Sequence, residues 1–376
     1  MRQVRFLSTV FAVLFMSLCA TAYAQVAQRS PQTHTYYIAA EEVQWDYTPL
    51  GRNLSGTPDV ETAEDSGTRA HRVYWKAIYR EYTDTTFTTL KQRSPQWEHL
   101  GILGPLIRAE VGDTIKVVFK NRTKLFCTMH PHGLEYGKTS EGAMYSDGAS
   151  GADKKGDMVH PGETYTYVWS VPERSGPGPD DPSSIIWMYH SHFVESRDMN
   201  TGLIGPIIIS RRGSTRPDGT PQDVDREFVT AFAIFDETES WFFEKNIMSL
   251  KDYSLDLSNL STYTSLKAKD PAFRLRHLMY TINGLIEANL PKLTMKKGER
   301  VRWYLLSNTN EEDVHTAHWH GETAMLNNMR TDTVSLAPMA MAVADMVPDN
   351  VGTWLFHCHV GEHFHGGMVA LFTVLP

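Results

Sequence analysis

The chain has 376 residues, 41% hydrophobic and 21% charged, with a formal net charge of −8. That length suits two domains of common size, each large enough for its own core. The acidic balance argues against a nucleic-acid partner, because phosphate contacts need an excess of Lys and Arg.

Residues 1–24 read as an export signal. Arg2 and Arg5 form its charged region, residues 6–20 its apolar stretch, and Ala22-Tyr23-Ala24 a small-x-small cleavage site before Gln25. A lipid-modified Cys19 is the alternative, poorly served by Leu18. No other stretch reaches the roughly 18 apolar residues of a membrane span, so a secreted or periplasmic protein is expected. Cleavage removes Cys19, leaves Cys127 and Cys358, and takes the charge to about −10. With Cys358 assigned below to a metal, no intrachain disulfide is expected, and the cores carry stability with help from metal and assembly.

Residues 34–212 form the first predicted domain. A Pro-to-Gly segment at 105–112 and a strand-like run at 114–119 lead to Asn121 and then to His130-Pro131-His132-Gly133. Two stretches rich in Gly, Pro, Ser and Asp, 138–157 and 172–184, read as surface loops that line an interface or an access channel, or are merely solvated. Trp187-Met188-Tyr189-His190-Ser191-His192 follows, then an apolar strand over 207–209. Residues 211–225 are rich in Gly, Pro, Thr and Asp and read as a linker, with the boundary set at 213–225.

The second domain, 226–376, repeats the first. The segment 291–298, the run 301–306 and Asn308 lead to His318-Trp319-His320-Gly321, and Trp354-Leu355-Phe356-His357-Cys358-His359 matches the motif around Ser191. Gly367-Met368 matches Gly202-Leu203, and an apolar strand over 369–374 closes the repeat. Short apolar and β-branched runs punctuated by Gly, Pro and Asn predict an all-β chain of two antiparallel sandwiches. Helical periodicity is visible only over 268–280.

The segment from His357 to Met368 carries the chemistry. A thiolate, two imidazoles and a weak thioether are the donors of a blue copper centre. Cys358, His363 and Met368 supply three of these. On a strand, alternate side chains point to opposite faces, so His357 and His359 face a different metal from Cys358. With His315 as the second imidazole, eight histidines remain in four His-x-His pairs: His130, His132, His190, His192, His318, His320, His357 and His359. Eight neutral nitrogens match a cluster of three copper ions with a place left for oxygen. Zinc is the runner-up metal, but gains nothing from a Cys between two histidines aimed elsewhere. In the first half Cys127, Ser191, Ser196 and Leu203 stand where the second has His315, Cys358, His363 and Met368, so no blue copper centre forms there. His160, His277 and His365 read as ordinary histidines.

These motifs resemble the multicopper oxidases, over nearly all of residues 34–376. The ceruloplasmin and hephaestin branch is the nearest likeness, through the run Tyr36 to Glu42, Gly101-Ile102-Leu103-Gly104-Pro105, Asp236-Glu237-Thr238-Glu239-Ser240-Trp241 and Thr281-Ile282-Asn283-Gly284. The resemblance implies tandem cupredoxin domains, Greek-key β-sandwiches, and four coppers per functional unit. It implies type 1 copper on His315, Cys358, His363 and Met368, type 2 on His130 and His318, and a type 3 pair on His132, His190, His192, His320, His357 and His359. It further implies one-electron oxidation of a small reductant at type 1, with dioxygen reduced to water at the cluster. Six-domain relatives form a ring, so three two-domain chains are expected to rebuild it as a homotrimer whose clusters lie between subunits; a monomer pairing its own halves is the alternative.

The reductant stays open. Glu362 keeps one acidic position found in iron-oxidising members, but Leu275 and Tyr280 stand where Glu and His are expected. A laccase-like oxidase of phenols or aromatic amines is the first expectation, and oxidation of ferrous, cuprous or manganous ions the second. Glu311, Glu312 and Asp313 read as a solvated loop or a metal-attracting cluster. Met325, Met329, Met339, Met341 and Met346 read as core filler rather than cuprous ligands. Copper nitrite reductases are a rival class, but they need no type 3 pair.

Overall fold

A computed structural model describes residues 29–56, 72–250, 271–291, 293–308 and 314–376. The proposed export signal and the acidic run Glu311-Glu312-Asp313 lie outside the described residues.

Two sheets build each half. In the first half one sheet runs in the order Val73–Tyr82, Thr33–Asp46, Thr114–Asn121, Thr164–Ser170, and the other Ile107–Glu110, Ile204–Ser210, Ser184–His190, His130–Pro131. The second half repeats both orders with Leu278–Ile282, Arg226–Asp236, Val301–Ser307, Met341–Met346, and with Leu293–Lys296, Val369–Leu375, Gly352–Cys358, His315–Trp319. It adds the hairpin Ala324–Leu326 and Met329–Thr331 to the first sheet and Thr333–Leu336 to the second. The equivalent strands also pair in the same senses: Thr33–Asp46 is parallel to Thr114–Asn121, as Arg226–Asp236 is to Val301–Ser307. The chain is thus two β-sandwiches of one topology.

Alternation along Thr164–Ser170 sends Tyr167 and Trp169 into the core and leaves Val168 exposed, as expected of a strand with one wet face. Ile204–Ser210 and Val301–Ser307 are buried at every residue. Each is covered twice. Ile207 and Ile209 join the first sandwich core, while Ile204 and Ile208 meet Val229, Tyr304 and Leu306 of the other half. Val301, Trp303 and Leu305 lie in the second core. A buried aliphatic or aromatic side chain contributes ~1.5–3 kcal/mol, so this shared layer holds the halves together. Polar bonds fix its register. Arg108 pairs with Glu227, which also accepts Tyr304 OH at 2.8 Å. Lys76 and Glu237 form an enclosed ion pair at 2.5 Å.

The helical periodicity over 268–280 is only partly realised. Pro271–Leu275 is helical, but Leu278–Ile282 is a strand, with all five residues buried and paired antiparallel to Arg226–Asp236. Sheet pairing outweighs the local pattern there. Residues 211–225 are tied down, with Glu110 accepting the amides of Gly213 and Thr215. Among the described residues no helix is long and apolar enough to cross a membrane.

Candidate metal centres

Gly352–Cys358 ends at the thiol, the chain turns through the short helix Gly361–His365, and Val369–Leu375 returns alongside. Two backbone bonds close the turn: Cys358 N–H to Met368 O at 3.1 Å and Met368 N–H to His363 O at 2.9 Å. From the neighbouring strand Ala317 lies opposite Cys358, which brings up His315. Cys358 Sγ lies 3.5 Å from His363 Nδ1 and 3.9 Å from His315 Nδ1, and the two nitrogens are 3.1 Å apart. All three side chains and Met368 are buried. Burial, then His363, holds the His315 pKa down at about 3. Burial pushes the Cys358 thiol up, against the amides of Thr316 and Val360. The donors therefore wait as a neutral imidazole and a thiol, and a bound cation reverses the thiol's preference.

The His-x-His pairs gather into two quartets. In the first half His130 lies opposite His190 on adjacent strands, and His132 Nε2 is 3.0 Å from His190 Nε2. His130 Nδ1 is bonded to Glu141 O and His190 Nδ1 to Ser191 O, so carbonyls fix the rings and Nε2 faces inward. In the second half His318 lies opposite His357, and His320 Nε2 is 3.0 Å from His357 Nε2. His318 Nδ1 is bonded to Asp332 O and His357 Nδ1 to the carbonyl of Cys358 itself. Ring contacts of 4.9–5.5 Å link His318, His320, His357 and His359. Burial lowers the pKa of His132 and His357 to about 4 and that of His190 well below its usual value, with neighbouring imidazoles adding to the effect. Such imidazoles are neutral donors at physiological pH. Among the described residues no ring contact or hydrogen bond joins one quartet to the other.

Gly133 and Gly321, which follow the first pair of each half, sit at φ 71° and 69°. A Cβ on Gly133 would meet the Trp187 indole at 2.2 Å, and one on Gly321 would meet Trp354 at 3.0 Å. The Gly and Trp of the two motifs are therefore one packing unit, seated beside each quartet.

Where the second half has its thiol, the first has a serine hydroxyl bonded to a buried carboxylate. Ser191 Oγ donates to Asp198 at 2.7 Å and accepts Thr128 N–H at 3.1 Å. Asp198 also accepts Phe193 N–H, Val194 N–H and the indole N–H of Trp241. Cys127 is buried against Thr123, with its pKa pushed up to about 12 by burial, and Leu203 is fully enclosed.

Around the thiol site, Tyr280 packs on the His363 ring at 5.4 Å and donates to Glu362 at 3.0 Å. Leu275, at the end of the helix Pro271–Leu275, is 47% exposed, and no contact ties it to the thiol site among the described residues. Of the five methionines read as core, Met346 is buried and Met339 and Met341 pack against the inter-half layer. Met329 and Met325 are exposed, which corrects the expectation for these two: their short hairpin lies at the edge of its sheet, and both side chains reach solvent while Ala324 faces the core. Glu195, which sequence reasoning passed over, reaches His190 and His192 at 3.9 and 3.5 Å. The offset His-x-His-x-x-Glu, shared by Glu195 and Glu362, was the available signal.

Two buried imidazoles, a buried thiol and a thioether, set beside imidazole quartets, are a donor set suited to copper. Comparison with known proteins agrees. Two family profiles described as multicopper oxidase match residues 82–214 and 253–376, and the chain belongs to the multicopper oxidase family, whose metal is copper. Hephaestin from Mus musculus is 40% identical over 378 residues, 97% of this chain and 30% of hephaestin. Ferroxidase HEPHL1 from Homo sapiens is 39% identical over 350 residues, 91% of this chain and 29% of that protein. Ceruloplasmin from Homo sapiens is 38% identical over 358 residues, 92% of this chain and 33% of ceruloplasmin. The chain thus spans about a third of the length of these curated relatives. A solved multicopper oxidase structure superposes with a TM-score of 0.56 at 18% identity, covering 91% of this chain and 89% of that one, which supports the cupredoxin fold.

Proposed function

We propose that the chain is a copper-dependent oxidase that couples one-electron oxidation of a small reductant to reduction of dioxygen to water. His315, Cys358, His363 and Met368 would hold type 1 copper. His130 and His318 would hold type 2 copper, and His132, His190, His192, His320, His357 and His359 the type 3 pair. Bound copper supplies reversible one-electron steps and a site for dioxygen. One observation carries the reading. Cys358 Sγ faces His315 and His363 while the ring of His357, bonded to the Cys358 carbonyl, belongs to the quartet. One residue therefore touches both sites. An intense thiolate-to-copper absorption in the copper-loaded protein, lost in Cys358→Ser together with dioxygen uptake, tests it.

A metal ion, ferrous ion first, is the reductant that the relatives support, one of them being named a ferroxidase. Exposed Glu362 beside His363 offers such a cation a carboxylate. A laccase-like reading on phenols or aromatic amines draws support from the aromatic Tyr280 packed against the His363 ring. Oxygen uptake with ferrous, cuprous and manganous salts beside a phenol separates the two. All eight cluster histidines speak against a nitrite reductase.

We further propose that the domains are 34–212 and 226–376 and that the oligomer is a head-to-tail homotrimer with clusters between subunits. The gathering of four imidazoles in each half supports it, since four nitrogens are too few for three metals. Mass measurement with copper content tests it; a monomer with a full cluster contradicts it. Residues 1–24 are proposed as a cleaved export signal.

A further inference from the structure

A cavity of about 1050 Å³ opens in the first half, and none of the residues read as copper ligands lines it. Its walls come from the strands Thr33–Asp46 and Val73–Tyr82, from the stretch between Leu90 and Glu110, and from residues 215–219. The chain as a whole is acidic, with a net charge of −8. The cavity reverses that balance: Arg29, Arg80, Lys91, Arg93, Arg108 and Arg216 line it, against the carboxylates Glu81, Glu110 and Asp218. Some of these cations are neutralised. Arg29 meets Glu110 at 2.5 Å, Lys91 meets Glu81 at 2.8 Å and Arg108 meets Glu227 at 2.7 Å. Arg80 reaches Glu41 only at 3.3 Å. Arg93 makes no ion pair among the described residues; its guanidinium donates to the carbonyls of Gly101, at 2.7 Å, and Leu103. These bonds fix its position and leave further N–H donors free. Arg93 is open to solvent within a concave wall. Burial lowers its pKa, Tyr189 opposes the shift, and the like charge of Arg80 adds to it.

A fixed guanidinium without a counter-ion, set beside a second one, is a seat for a carboxylate, which it takes through paired, charge-assisted bonds. The rest of the wall suits a flat apolar body. Tyr36, Trp45 and Trp97 line it together with Leu90, Leu100 and Leu106, and Trp97 is held under the Arg108 guanidinium at 5.2 Å. Ligand cavities of roughly 300–1,000 Å³ enclose most of a drug-sized molecule between such apolar walls and a few polar groups. We propose that this cavity is a binding site for a planar aromatic carboxylate, with its anion held by Arg80 and Arg93 and its ring against the aromatic wall. The site is independent of copper.

Calorimetric titration of the copper-loaded protein with cinnamate tests this, with cinnamamide as the uncharged match. One equivalent of cinnamate per chain should bind, and cinnamamide at least about tenfold more weakly, because the charge-assisted bonds are lost. R80Q and R93Q should each weaken cinnamate binding about tenfold and leave cinnamamide binding as it was. R80Q keeps the Arg93 bonds to Gly101 and Leu103, so it decides the matter if R93Q unfolds. Removing copper should leave the affinity for cinnamate unchanged. Absence of cinnamate binding, equal affinity for cinnamate and cinnamamide, wild-type cinnamate affinity in R80Q, or binding that disappears with the copper would each overturn the proposal.

Discussion

Thr316 N–H donates to Cys358 Sγ at 3.3 Å. The same amide in the first half, that of Thr128, donates to Ser191 Oγ. The backbone cradle is therefore common to both sandwiches, and the side chain within it differs. Cys358→Ser is expected to remove the thiolate absorption and dioxygen uptake while leaving thermal unfolding of the metal-free protein within about 1 kcal/mol of wild type, because the cradle accepts a hydroxyl. Ser191→Cys should gain no such absorption, since Leu203 and Cys127 offer neither thioether nor imidazole there. A visible spectrum of each copper-loaded variant is the check.

Asp198 takes over the anchoring of the first cradle. It accepts from Ser191, Phe193, Val194 and Trp241 and is fully buried. Asp198→Ala leaves those donors without a partner, each worth about 1–3 kcal/mol. The expected result is a loss of about 2–4 kcal/mol in denaturant unfolding, with type 3 copper depleted and the Cys358 band retained. Proportional loss of both copper signals would contradict a local anchoring role.

The sequence made the candidate ligand clusters legible because their geometry is local. Strand alternation alone separates Cys358 from His357 and His359, and the repeat locates the other pairs. It also reveals the missing thiolate at Ser191. What joins the halves was not legible. Asn283 Nδ2 reaches the carbonyls of His99 and Val229, and Lys76 meets Glu237 across 161 positions. Only the tertiary fold brings such partners together. Nor could the shared offset tell that Glu195 turns to its quartet and Glu362 to Tyr280, since neighbours from other strands decide the rotamers.

His99 should tune stability with pH. It is fully buried where the halves meet, its Nε2 accepts Val229 N–H at 3.1 Å, and burial holds its pKa at about 4. The unfolded chain takes up this proton near pH 6.5 and the folded one near 4. The contribution is complete above 6.5 and is lost as pH falls toward 4, at up to about 1.4 kcal/mol per pH unit. His99→Gln should flatten that slope in denaturant titrations; an unchanged slope contradicts the assignment.

Gly101 marks a close approach of the halves. At φ 53°, a Cβ there would meet Asn283 O at 2.2 Å. Gly101→Ala is expected to cost about 2 kcal/mol or more through strain and displacement. Calorimetry should show the loss, whereas Gly137→Ala, where an added Cβ meets nothing within 4 Å, should change little.

The central claim is that one cysteine connects a reductant-facing copper to an oxygen-reducing cluster. Steady-state dioxygen uptake by the copper-loaded protein with ferrous ion as reductant, beside Cys358→Ser at equal occupancy of the remaining copper, addresses it directly. The account predicts sustained uptake by the wild type and none above background in the variant. Equal uptake by both proteins would contradict it.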